Sequence, residues 1–308
     1  MPVVVSKLYT FTGHKDCVYT LEKSAHDHIF FSGAGDGMVV SWNLQAPEQG
    51  QLLAKVSASV YALHYDSPRN YMIIGQNYEG IHLVNLDNKD PAGSVKITEA
   101  AIFDIKTWEG KIFVGDGNGV ITVVDANTLG VIKRIRASKE RVRAMAVHPH
   151  RQEMAVGYSD NTIRIIDLNS LKVKQVIEAH KNSVFTICYS SDYSVLLSGS
   201  RDAHLKVWNV EKNYALQEAI VAHMYTINHI SFSPDGKYFV TCSVDKSVKV
   251  WDAQRFKLLK VIDKARHAGH ATSVNRTLWP AYAMENGRYP IISASDDRTI
   301  SMWDVQFE

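Results

Sequence analysis

The chain has 308 residues, 45% of them hydrophobic and 21% charged, and a formal net charge of +2. Those proportions belong to a folded globular protein rather than a disordered one, and so small a charge gives the molecule as a whole no electrostatic case for binding nucleic acid or a membrane surface. Three scattered cysteines, Cys17, Cys188 and Cys242, include no CxxC pair, which argues against a zinc site or a disulfide framework.

Residues 3–11 alternate like a strand. The opening Met-Pro-Val-Val-Val-Ser-Lys lacks the apolar core of a signal peptide, and no stretch reaches transmembrane length. A cytoplasmic protein is expected, with the nucleus left open. From His14 the chain then repeats one pattern: short β-branched and apolar runs separated by turn residues. The first unit closes on Trp42 after the turn Gly35-Asp36-Gly37. His26 and His28 share its first hairpin, but no third ligand stands at metal-binding spacing, so no metal is expected. The second, third and fourth units close on Val84, Val124 and Ile166. Trp108 falls in the first hairpin of the third unit, where an exposed side chain is expected; His150 occupies the matching hairpin of the fourth. The stretch Lys133–Arg143 reads KRIRASKERVR and should span an outer strand, a loop and the start of an inner strand. The fifth, sixth and seventh units close on Trp208, Trp251 and Trp303, the seventh carrying insertions at Arg266–Gly269 and Ala281–Arg288.

The closing positions are 40 to 52 residues apart, and a fixed period of this size marks a repeat architecture. Gly-His occurs at residues 13–14 and 269–270, Trp-Asp at 251–252 and 303–304, and Trp-Asn at 42–43 and 208–209. In these features the chain resembles the WD40-repeat family along essentially its whole length. The resemblance implies an all-β fold: a seven-bladed β-propeller of four-stranded antiparallel blades in a single domain, residues 1–308. Only four residues follow the Trp303-Asp304 pair, so the last unit lacks an outer strand while residues 3–11 are one to spare. Joining them would close the ring and remove an open sheet edge.

Four units share fixed offsets: His14, Ser32, Asp36 and Trp42; His180, Ser198, Asp202 and Trp208; His223, Thr241, Asp245 and Trp251; His270, Ser293, Asp297 and Trp303. Ser, His and Asp together invite a hydrolase reading. Four copies of a catalytic triad in one ring would serve no purpose, and a mid-strand Ser is not held on an exposed elbow. Hydrogen-bond accounting favours a structural tetrad, in which the hydroxyl accepts from the indole and His links it to Asp; the resemblance implies the same. The second to fourth units carry Ile74, Val114 and Val156 at the hydroxyl position and have no His before their first strand, so the network should be lost there. Asp160→Ala should accordingly be milder than Asp202→Ala.

Comparing the repeats separates scaffold from function. At the start of the inner strands one column reads Val18, Val60, Ile102, Val142, Val184, Ile227 and Val274, β-branched throughout as buried packing demands. The next column reads Tyr19, Tyr61, Phe103, Arg143, Phe185, Asn228 and Asn275, which no common packing role explains. The resemblance implies that these side chains ring the channel mouth on the top face, where partners dock, and Arg201 is assigned to the same face. Aromatics and Arg are the residues of interaction hot spots. The expected function is a non-enzymatic scaffold or adaptor that binds proteins or peptides, without cofactor or metal, as one propeller inside a larger complex. The alternative is a binder of an acidic ligand (nucleic acid, phosphoinositide or acidic peptide) through residues 133–143, although the Phe-Arg-Arg-Gly element of phosphoinositide-binding propellers is absent.

Overall fold

The computed structural model describes residues 3–307. They form seven four-stranded antiparallel sheets, and the inner strands contact one another in cyclic order, the last returning to the first. The first blade comprises Val18–Lys23, Ile29–Ala34, Met38–Asn43 and Ala46–Lys55. The seventh has Val274–Leu278, Ile291–Ser295 and Ile300–Phe307, and takes its outer strand from the start of the chain. Val3–Phe11 pairs antiparallel with Ile300–Phe307, Val5 opposite Val305 and Phe11 opposite Ile300. The fold and its closure are those the repeat pattern predicted.

What holds blade to blade is a contact between two residue columns. In the first five blades a glycine follows the hydroxyl position, or the aliphatic residue replacing it. A Cβ on Gly33, Gly75, Gly115, Gly157 or Gly199 would come within 2.5–2.9 Å of the β-branched residue opening the next inner strand. Those glycines let five of the seven β-branched side chains wedge between sheets at full burial. The sixth and seventh blades carry Cys242 and Ala294 instead, both fully buried. Cys242 is therefore a small packing residue rather than a reactive one.

The insertions of the seventh unit are packed down. The first forms a short helical turn, Lys264–His267, whose Asp263 cap accepts from Arg266 N at 2.9 Å. The second is tied back by Arg288, whose Nε donates to Asp304 at 2.8 Å. Trp108 corrects the expectation of an exposed indole. The tight turn at Glu109 and Gly110 keeps it paired with Lys111, half-buried against the core between the third and fourth blades.

Candidate functional site

In four blades the structure brings the His, hydroxyl, Asp and Trp together. Trp42 Nε1 donates to Ser32 Oγ at 2.8 Å, His14 Nε2 lies 2.7 Å from that oxygen, and His14 Nδ1 lies 3.2 Å from Asp36. The corresponding distances are 2.8, 2.8 and 3.1 Å around Ser198 and 2.9, 2.7 and 2.8 Å around Thr241. Around Ser293 they are 2.8, 2.9 and 2.9 Å. The hydroxyl has one proton and accepts the indole's, so it donates to His Nε2; Nδ1–H then donates to the carboxylate. Burial depresses the pKa of His14, His180 and His223 against the opposing pull of their carboxylates, which favours this neutral tautomer. Each Asp also accepts from the backbone, as Asp202 does from Lys181 N and His204 N, pinning the loop before one strand to the turn before another.

The remaining blades rebuild part of this chemistry with other residues, contrary to the expectation that it is lost. Ser138 stands 22 residues before Asp160, the His-to-Asp spacing, and donates to it at 2.7 Å. Arg164 pairs with the same carboxylate at 2.8 Å. In the third blade the turn acid has moved two residues earlier: Asp116 accepts from Thr98 Oγ1 and from the N–H groups of Asn118 and Val120. In the second blade Gln76 occupies the position of Asp116 and donates to Ser57.

The variable column has a specific backbone origin. In every inner strand the pairing with its neighbour slips by one residue at this position, between Val18 and Thr20, between Val142 and Ala144, and so on around the ring. Tyr19, Tyr61, Phe103, Arg143, Phe185, Asn228 and Asn275 are thus the extra residues of seven β-bulges. A bulged residue stands outside the ladder and its side chain is re-aimed. All seven line one cavity of about 640 Å³ at the top of the channel. Arg201 is exposed in the turn before Asp202 and is not among the lining residues.

Five of the seven form a ladder around the wall. Tyr19 meets Tyr61 edge-on at 4.6 Å between centroids, and Tyr61 stacks on Phe103 at 5.9 Å. The Arg143 guanidinium sits 4.3 Å from the Phe103 centroid and 3.9 Å from that of Phe185. The two asparagines do something else. Asn228 Nδ2 donates to Val274 O at 2.9 Å, and Asn275 Nδ2 to Val18 O at 3.0 Å, stapling the sixth blade to the seventh and the seventh to the first. The cavity also takes in Tyr78, Arg141 and Arg276. Arg276 lies just beyond the bulge, in a column reading Thr20, Ala62, Asp104, Ala144, Thr186, His229 and Arg276. That column holds five residue types in seven places, so the repeat comparison did not single Arg276 out.

Below the mouth the channel is polar. Lys106 pairs with Asp104 at 2.8 Å. Burial pushes the Glu22 carboxyl up against the pull of Lys106 and Arg276, and burial together with Lys106 holds His64 down to about 3. The basic run does not gather into one surface: Lys133, Arg134 and Arg136 lie on an outer strand, while Arg143 enters the mouth.

A family model described as WD domain, G-beta repeat, matches residues 5–43, 130–167, 171–209, 216–252 and 264–304. Residues 44–129 lie outside those matches yet supply the outer strand of the first blade, the whole second blade and three strands of the third. The chain is 23% identical over 239 residues to striatin from Homo sapiens, across 70% of its own length and 30% of striatin's. To actin-interacting protein 1-2 from Arabidopsis thaliana it is 27% identical over 216 residues, 65% of this chain and 33% of that one. It therefore spans about a third of these curated relatives. The WD40 β-propeller domain of Doa1 superposes with a TM-score of 0.83 at 19% identity, covering 98% of this chain and 97% of that one. No helix among the described residues is long and apolar enough to cross a membrane.

Proposed function

The chain belongs to the WD40 family, and from that premise we propose that it is a non-enzymatic interaction scaffold that docks a protein or peptide partner on the channel mouth. One observation carries this reading: seven bulged residues from seven blades converge on a single cavity, five of them as a continuous aromatic–guanidinium ladder. Aromatic rings supply large contact area with few rotatable bonds to freeze, and Arg adds directional donors. The mouth presents phenols, amides and guanidiniums, with one carboxylate, Glu99, at its rim, and no nucleophile is set beside a base among these lining residues. The tetrads serve the scaffold and not the site.

Replacing Tyr61, Phe103 and Arg143 together by Ala should weaken partner capture at least tenfold, about 1.4 kcal/mol. Capture is measured by affinity purification against wild type, with circular dichroism confirming that the fold is kept. Trp108 and His150 are unsuitable opposite-face controls, because Trp108 packs on the core and the His150 ring lies 5.4 Å from Tyr193. Exposed Lys212 and Arg255, in the hairpins between third and outer strands, take their place. Undiminished capture by the triple variant would place docking elsewhere.

A further inference from the structure

Arg143 is held in an unusual way. Its guanidinium carbon lies over the Phe103 ring at 4.3 Å and over the Phe185 ring at 3.9 Å, one aromatic side chain from each neighbouring blade. A guanidinium packed on aromatic rings leaves its N–H groups to acceptors that approach in its own plane. Its Nε is buried without a hydrogen-bond partner, and so is the Nε of Arg276, three blades away around the same mouth. Burying unpaired guanidinium donors is costly, so their persistence points to a group that completes them.

Among the described residues no acceptor meets either Nε. The buried Glu22 carboxyl below the mouth feels the charge of Arg276 but accepts only from Lys23 N and forms no ion pair with it, and the other carboxylates near the mouth have partners of their own. Asp104 accepts from Lys106 and from Met145 N, Asp296 accepts from Asn275 Nδ2, and Glu99 lies at the exposed rim 3.7 Å from Lys96. Burial and the neighbouring positive charge of Arg141 lower the Arg143 pKa to about 10, with no carboxylate opposing them. The group remains charged at neutral pH, with that charge uncompensated.

We infer that the mouth receives a carboxylate: an Asp or Glu side chain of an acidic partner segment, gripped in plane by Arg143 and reached from the far side by Arg276. The inference rests on the scaffold reading and names the chemistry of its partner. A carboxylate is planar and accepts two parallel N–H bonds from a guanidinium edge. A peptide suits the site better than a free anion because apolar side chains stand exposed on the same face. Tyr78 lies at the cavity itself, and Met224 and Tyr225 in the loop before the sixth inner strand. These would hold residues flanking the acidic one.

The test is calorimetric titration of the full chain with a capped polyglutamate peptide. Capped polyglutamine and sodium phosphate at matched ionic strength serve as comparisons. Saturable binding of polyglutamate alone is expected. Arg143→Lys keeps the charge but loses the planar fork, and should weaken binding roughly tenfold; Arg276→Gln should do the same, while Lys133→Gln on the outer strand should not. Melting curves establish that each variant is folded, and either arginine variant suffices if the other is not. Absent binding, binding indifferent to both arginine variants, or competition by phosphate at the peptide's own concentration would each overturn the inference. The scaffold reading is judged separately: capture that needs Tyr61 and Phe103 but survives Arg143→Lys and Arg276→Gln keeps the docking face and rejects the carboxylate.

Discussion

Asp202 and Asp160 occupy one position in two blades and reach similar electrostatic ends with different neighbours. Burial raises the pKa of both carboxyls, yet hydrogen bonds from His180 and Lys181 N outweigh it at Asp202, holding its pKa well below the usual range. At Asp160 the bonds from Arg164, Thr162 and Ser138 bring it to about 2. Removing either acid strands buried donors, so Asp202→Ala and Asp160→Ala should each cost about 1–3 kcal/mol. Urea denaturation showing Asp160→Ala to be near neutral would mean its substitute network is idle. The repeat pattern made the four tetrads legible because their residues recur at fixed spacing. It could not show that Ser138 stands in for His, since one hydroxyl in one blade carries no repeat signal. A second residue-scale consequence concerns acid. His64 has a folded pKa of about 3 against an ordinary 6.5. Above pH 6.5 both states hold the ring neutral; between 6.5 and 3 only the unfolded chain takes up the proton, so stability falls as pH falls. At pH 5 the loss is at most about 2 kcal/mol from this residue. His64→Gln should therefore lose correspondingly less than wild type between pH 7 and 5, measured by denaturant midpoints; equal losses would contradict the burial argument.

The inner strands show which parts of an element its sequence exposes. Seven β-branched residues in register were visible as a column, because every blade must fill the same wedge. The glycines that receive them were not. Two of the seven receiving positions carry Cys242 and Ala294, and a glycine in a strand also reads as a bend or bulge. The bulges themselves leave no residue signature. They appear only as a column that varies freely, since the bulged residue takes no part in the ladder and its type answers to the mouth instead. A Cβ on Gly199 would lie 2.7 Å from Ile227 Cγ2 and 2.8 Å from Thr186 Cγ2. Gly199→Val must push those strands apart and should cost about 1–3 kcal/mol. The thermal transition should drop while the far-ultraviolet circular dichroism keeps its β form. A transition unchanged from wild type would show that the blades have slack at this contact.

A propeller is stable only as a closed ring, because each blade packs on its two neighbours and on nothing else. Six of the seven seams join blades that follow one another directly in the chain. The seventh joins the last blade to the first, and there Val3–Phe11 does two jobs. It completes the last sheet by pairing with Ile300–Phe307, and it delivers Phe11 to the first blade, where the ring meets Phe30 at 5.3 Å and Trp42 at 5.4 Å. Phe11 is 1% exposed. The bond from Asn275 to Val18 O crosses the same seam at the mouth, so closure and the candidate site are mechanically linked. Phe11→Ala should cost about 3–5 kcal/mol, as expected for a large aromatic removed from a packed core. Because the lost contact holds the seam, partner capture should weaken as well, even though Phe11 is not among the residues lining the mouth. Leu8→Ala on the same strand, where the side chain is 45% exposed, should change neither. Melting and capture measured side by side decide the matter: if Phe11→Ala lowers stability but leaves capture intact, the mouth does not depend on closure, and if it lowers neither, the strand is not what holds the ring shut.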